Sequence, residues 1–147
     1  MSVQPSIATL VAAGNAKVPA STVIRNGQLV NVVSAEIYPA DVAVFGNTVV
    51  AIGDVSSYIG SDTTVIDSEG RYLVPGMFDG HQHVECSKLS MTSIAKMLVP
   101  PGTINVVSGL DQILVVSGLE GARQFLRESQ QTPLRIFWGA PCKTPYT

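Results

Sequence analysis

Three hydrophobic periodicities follow one another along this chain. Residues 6–18 are apolar and alanine-rich (Ile7, Leu10, Val11, Ala12, Ala13) and stop at Gly14-Asn15 and Pro19, which predicts a short helix. From residue 22 the spacing changes to short β-branched runs between turn signals. Thr22-Val23-Ile24-Arg25 and Leu29-Val30-Asn31-Val32-Val33 flank Asn26-Gly27, a pattern that predicts a hairpin. Residues 41–45 and 48–52 flank Gly46-Asn47 and predict a second hairpin. Residues 63–67 and 71–74 add two strands around Ser68-Glu69-Gly70. Residues 22–74 thus read as an all-β lobe, with residues 1–21 as an extension before it.

After Pro75-Gly76 the pattern alternates between strand and helix. Met77-Phe78-Asp79 predicts a short buried strand. Residues 90–98 predict a helix with Ser90 or Thr92 as N-cap, ended by Pro100-Pro101-Gly102. Residues 103–107 form a β-rich run. Residues 119–131 predict an amphipathic helix with Leu119, Ala122, Phe125 and Leu126 on one face, closed by Pro133. Residues 134–138 are the third strand. Strands alternating with helices imply parallel βαβ units. Three strands and two helices over residues 75–147 are less than half of a (β/α)8 barrel, which takes about 200 residues or more. The fold class read here is α/β with an all-β lobe, the barrel incomplete in this chain. A three-stranded parallel sheet leaves an open edge and uncovered faces, so a barrel-completing polypeptide is expected as a partner.

Composition agrees with a missing neighbour. Hydrophobic residues make up 46% and charged residues 14% of the 147 residues, apolar for a domain of this size. Either much of that surface is buried within the chain, or another chain covers it. A net charge of −2 gives no electrostatic footprint for nucleic acid or an anionic membrane. No run approaches the ~20 apolar residues of a membrane span. The start, Met1-Ser2-Val3-Gln4-Pro5, lacks the basic and apolar regions of a signal peptide. Two cysteines do not make a disulfide framework, so a cytoplasmic location is expected.

The chemistry concentrates at His81-Gln82-His83. In an extended strand, residues i and i+2 point to one side, so both imidazoles can face one cation. His81 and His83 are read as metal ligands. With only these 2 histidines in the chain, the remaining ligands of a typical four-coordinate zinc site must come from other groups. Asp79 shares their side and either orients a ligand or holds backbone donors. Glu85 continues the alternation as a ligand, substrate contact or general acid/base, against a plain paired carboxylate. Cys86 is either a thiolate ligand or, the favoured reading, a small buried thiol. Lys88 reads as a surface lysine. Asp111 follows the second parallel strand, at the end where barrel enzymes build their sites. Gln112 beside it can hydrogen-bond a substrate but cannot bridge metals as a carboxylate would. Cys142 and Lys143 follow the third strand, where an ordinary loop position is the favoured reading, and Trp138 reads as core or interface.

One resemblance runs through these segments. Ile24-Arg25-Asn26-Gly27, Leu29-Val30-Asn31-Val32, Ala40-Asp41-Val42-Ala43, Val50-Ala51-Ile52-Gly53, Ile66-Asp67 and the run from Leu73-Val74-Pro75-Gly76 to His81 resemble the N-terminal part of the amidohydrolase superfamily. Within it, His81-Gln82-His83-Val84-Glu85-Cys86-Ser87 and Ser117-Gly118-Leu119-Glu120-Gly121 are most similar to the adenine deaminases, and Cys142, Pro145 and Thr147 loosely echo a later segment of them. The resemblance implies a β-sandwich portion over residues 22–74 and the first βα units of a metal-dependent hydrolase barrel over 75–147. It implies one or two catalytic metals with His-x-His at the end of the first barrel strand. The chain departs from that pattern after the second barrel strand, where adenine deaminases carry Asp-Pro-His-Glu and this chain carries Gly109-Leu110-Asp111-Gln112.

The function expected is part of a metal-dependent amidohydrolase that splits a C–N bond of a cyclic amide or purine-like small molecule through metal-activated hydroxide. Glu85 and Asp111 are its candidate catalytic residues and Asp79 and Gln112 its supporting ones. Zn²⁺ is the expected ion, with Mn²⁺ or Fe²⁺ as alternatives. The alternatives are a non-catalytic structural subunit or degenerate paralogue, motivated by the altered residues 109–112, and a fragment of a longer enzyme.

Overall fold

A computed structural model describes residues 5–140. The chain divides into two compact units between Pro75 and Gly76.

The first unit begins with α1 (Ile7–Gly14), whose N-cap Ser6 accepts a hydrogen bond from the Thr9 N–H. α1 is tied to the rest of the unit by Tyr58, whose hydroxyl donates to the Gly14 carbonyl at 2.8 Å. A mixed sheet follows, made of β1 (Thr22–Asn31), β2 (Glu36–Phe45), β3 (Thr48–Gly53), β4 (Thr64–Asp67) and β5 (Tyr72–Leu73). Its order is β3-β2-β1-β4, with β5 also on β1. β1–β2 and β2–β3 are antiparallel, while β4 and β5 run parallel to β1. The Gly46-Asn47 hairpin forms as expected, pairing Phe45 with Thr48. Val23, Ala43, Val55 and Ala20 form this unit's buried cluster.

Asn26-Gly27 is not a hairpin turn. It is an irregularity inside one long strand, β1, whose register slips between Ile24 and Gly27. Asn26 takes a left-handed conformation, φ 57°, which asparagine tolerates. Its N–H donates to Asp41 Oδ1 at 2.8 Å and its amide to Asp67 Oδ2 at 3.0 Å, so neighbouring strands hold the bulge. Gly27 lies under Leu73, where a Cβ would come within 2.3 Å of Leu73 Cδ1. The chain actually reverses at residues 32–35, where Asn31 Oδ1 accepts from the Val33 and Ser34 N–H groups.

The second unit is a parallel sheet of β6 (Met77–Gln82), β7 (Thr103–Ser108) and β8 (Arg135–Trp138) in that order, with α2 (Met91–Leu98) and α3 (Asp111–Ser129) as connections. Ser90 is the α2 N-cap, accepting from the Ser93 N–H at 3.2 Å. Its core is Val84, Met91, Ile94, Ala95, Val106 and Leu134, with Phe125 and Trp138 packed against it. The architecture is therefore the expected one, a β lobe followed by parallel βα units.

Two local expectations fail here. β6 is not buried: Phe78 is 54% exposed and stacks on the 41%-exposed Phe137, ring centroids 5.5 Å apart. Helix α3 starts at Asp111 and is broken at Gly118 (φ 62°, ψ −165°), so only its second half was anticipated, and Leu119 is 60% exposed, outside the expected apolar contact.

Candidate functional site

The site residues gather at the C-terminal end of the parallel sheet. β6 ends at Gln82, and the backbone leaves the extended conformation at His83 (φ −98°, ψ 83°) to enter a 3₁₀ turn, Val84–Ser87. The alternation that would align Glu85 with the histidines therefore stops at His83. The turn brings Glu85 back instead: His83 Nδ1 and Glu85 Oε1 are 2.9 Å apart. The Glu85 side chain has no solvent exposure. An ionised carboxylate only accepts hydrogen bonds, so Nδ1 carries the proton and the Nε2 lone pair of a neutral ring is free. A histidine held in this way by a buried carboxylate is the usual support for a metal-ligating imidazole.

The turn is pinned from below by a residue that the sequence reading missed. Ser108, the last residue of β7, is buried and its Oγ accepts from the Val84 N–H at 3.2 Å. The same hydroxyl lies 3.5 Å from Glu85 Oε2, the carboxylate oxygen not used by His83. A hydroxyl ending the β-rich run Thr103-Ile104-Asn105-Val106-Val107 was the available signal.

His81 is exposed, and its ring stands edge-on to that of His83 with centroids 5.0 Å apart. Among the described residues Asp79 makes no hydrogen bond to either imidazole; its Oδ1 accepts from the His81 N–H at 3.1 Å, the backbone-holding alternative. Asp111 is buried in the first turn of α3. Its carboxylate and the His83 ring both border Gly109: a Cβ there would come within 2.5 Å of Asp111 Oδ2 and 3.2 Å of His83 Cε1. The structure thus brings Asp111 to His83, whereas Gln112, next along the chain, is exposed. Cys86 is exposed rather than a buried thiol, because the turn presents it outward. Cys142 and Lys143 lie outside the described residues. The amide oxygen of Gln82 is buried without a hydrogen-bond partner among the described residues.

Hydrogen bonding to Glu85 raises the His83 pKa above the ordinary histidine value, and the charges of Glu85 and Asp111 add to it against the opposing effect of burial. The linkage follows directly. In metal-free protein the pair stabilises the fold below the ordinary histidine pKa of about 6.5, and that contribution is lost as pH rises through the raised value. Metal uptake has the opposite dependence, since the proton must leave the ligand. Glu85→Gln is therefore expected to lower the His83 titration midpoint in an NMR titration of metal-free protein and to weaken metal binding by about 10–100-fold. An unchanged midpoint would remove Glu85 from this role.

The donor set fits a divalent transition ion. Ligand atoms of His83, Glu85 and Cys86 all lie within 4.8 Å of one another, a group that leaves out His81, whose ring centroid is 5.0 Å from that of His83. Imidazole, carboxylate and thiolate are the donors that zinc-class ions take. Among the described residues, no helix is long and apolar enough to cross a membrane.

Comparison with known proteins decides the kinship. The chain is 60% identical over 136 residues to the Rhizobium meliloti protein named adenine deaminase 4, a match covering 92% of this chain and 23% of that protein. The chain is a homologue of part of the proteins named adenine deaminase. It is also 56% identical over 139 residues to adenine deaminase 1 of Latilactobacillus sakei, again with 23% of the relative covered. The chain thus spans about a quarter of the length of the curated relatives it matches. No family model matches it. Its fold is that of the amidohydrolases. A Thermus D-hydantoinase superposes with a TM-score of 0.61 at 21% identity, over 80% of this chain and 26% of that one. A D-aminoacylase described by its binuclear metal centre superposes with a TM-score of 0.55 at 20% identity, over 83% and 29%.

Proposed function

We propose that this chain forms the opening part of a metal-dependent amidohydrolase that hydrolyses a C–N bond of a purine-like ring, with adenine the first substrate to test. The observation that carries the proposal is the His81-x-His83 pair at the C-terminal end of a parallel strand, with His83 locked on a buried carboxylate. Catalytic groups of barrel enzymes sit at this end of the strands. The names of the relatives support adenine as substrate.

His81 and His83 would hold the ion, with Zn²⁺ the best fit to the donors and Mn²⁺ or Fe²⁺ as alternatives. A bound divalent ion supplies Lewis acidity and brings the pKa of a water down towards ~7. Glu85 keeps the His83 ring in one tautomer and one orientation. Ser108 holds the turn that carries Glu85. Asp111, buried beside His83, would take the proton of the attacking water and return it to the departing nitrogen. The net change adds water to adenine and yields hypoxanthine and ammonia. Gln112, being exposed, is left with a substrate contact at most.

The rest of the barrel would lie outside these 147 residues, on the same or a further polypeptide, in a cytoplasmic protein. The exposed Phe78–Phe137 stack on the parallel sheet supports that covering, because parallel sheets are normally covered on both faces. Native mass spectrometry of the protein from its own source, with an adenine assay on the same sample, tests the proposal. The expected result is an assembly heavier than 15.5 kDa that carries a transition metal and releases ammonia from adenine. A metal-free 15.5 kDa species would favour a non-catalytic paralogue and overturn it.

A further inference from the structure

We infer that Cys86 is a metal ligand, its thiolate joining His83 on the same cation and making the site selective for thiolate-accepting ions. The inference rests on the metal reading above and adds a donor to it.

Among the described residues, His83, Glu85 and Cys86 form the group of three whose ligand atoms all lie within 4.8 Å of one another. Two nitrogen or oxygen donors on one tetrahedral zinc sit about 3.3 Å apart, and a sulfur donor slightly farther, as bond lengths of ~2.0–2.3 Å require. The 4.8 Å bound on the group is wider than that spacing, so the Cys86 side chain must close on the ion when it binds. The backbone position of Cys86 is fixed rather than incidental. Its N–H donates to the His83 carbonyl at 3.1 Å, closing the 3₁₀ turn on the histidine itself. The same turn is anchored at Val84, fully buried and bonded to Ser108 Oγ, and at Ser87, whose hydroxyl donates to the Val84 carbonyl at 2.6 Å. Cys86 is exposed, so a cation reaches its sulfur without any rearrangement of the core.

Charge gives a second reason. Glu85 is engaged with His83 Nδ1, and Gln112 offers no anionic donor. Among the described residues Asp111 is the other carboxylate beside the ring, and a Cys86 thiolate would add one negative charge to a divalent ion held there. On coordination the Cys86 S–H proton passes to solvent and the sulfur lone pair enters the metal bond. Thiolate favours zinc, cobalt and cadmium over magnesium, calcium or manganese.

Cobalt is the probe. The full protein, with whatever chain accompanies it, is stripped of metal and titrated with Co²⁺ while its absorption spectrum is followed. The expected result is visible d–d bands together with a near-ultraviolet thiolate-to-cobalt charge-transfer band. In Cys86→Ser, the d–d bands persist, the charge-transfer band disappears, and the dissociation constant for Co²⁺ rises about 10–100-fold or more. Retention of the charge-transfer band in Cys86→Ser overturns the inference, since the sulfur would then belong to another cysteine. Visible bands without charge transfer in the unaltered protein overturn it too, while leaving the histidine site standing. No Co²⁺ uptake at all removes the histidine site and this inference together.

Discussion

With His81 and His83 both replaced by alanine, the protein is expected to retain no stoichiometric transition metal and to lose more than about 1,000-fold of any hydrolytic rate. The magnitude follows from what the ion does to water: without it, the nucleophile's pKa returns from ~7 to 15.7. The fold should survive, because neither histidine belongs to the core cluster of Val84, Met91, Ile94, Ala95, Val106 and Leu134. The two positions are not equivalent, however. His81 is exposed, and its removal touches only the ring beside it. His83 is the partner of a carboxylate with no exposure, and deleting it leaves Glu85 unpaired at a cost of about 1–3 kcal/mol. His81→Ala alone should therefore lose metal and, compared in the metal-free state, melt at an unchanged temperature, whereas the metal-free double variant should melt earlier. Elemental analysis beside a circular dichroism melt separates the two effects. Full metal retention in the double variant would sink the assignment of both histidines.

The site was legible where chemistry and periodicity coincide, and opaque where backbone geometry intervenes. His81 and His83 stood out because histidine is rare in this chain and two residues in a strand share a side. Glu85 was found for the wrong geometric reason. It was assigned to a continuing strand, yet the backbone turns at His83, and the contact arises because a 3₁₀ turn folds the carboxylate back. Ser108 and Gly109 were invisible, since neither residue type advertises a role until β7 is seen to end beside the turn. The same contrast holds for the fold. Residues 41–45 and 48–52 alternate around a two-residue turn, so their hairpin could be read locally. Asn26-Gly27 carries the same local signal but lies between β2 and β4, where Asp41 and Asp67 capture Asn26 and turn a hairpin signature into a bulge. Tertiary partners overruled a turn propensity. The first half of α3 escaped because Val115 and Val116 are exposed, 82% for Val116, so the segment lacks the apolar-in, polar-out period that marks a helix.

Gly109→Val is expected to damage the site without touching any residue that bears chemistry. The backbone at Gly109 does not have positive φ, so the demand for glycine there is one of space. A Cβ would lie 2.5 Å from Asp111 Oδ2, 3.2 Å from His83 Cε1 and 3.4 Å from His83 Nδ1. None of these atoms moves freely. Asp111 is buried in the first turn of α3, and His83 is bonded to Glu85, which Ser108 backs in turn. Overpacking of this kind costs about 1–3 kcal/mol of stability. Displacing the His83 ring should weaken metal binding by about 10–100-fold besides, as loss of ligand orientation does elsewhere. Gly109→Ala places only the first carbon and should give a smaller effect in the same direction. The mechanism is checked by a double-mutant cycle with Asp111→Ala, measured by thermal melts and metal titration. If the clash with Asp111 dominates, Gly109→Ala costs far less stability once that carboxylate is gone, and the residual loss of metal affinity reports the His83 contact alone. Simple additivity of the two substitutions would mean that Gly109 and Asp111 do not crowd each other. The closeness of Asp111 to His83, on which its part in the proton transfer depends, would then have lost its support.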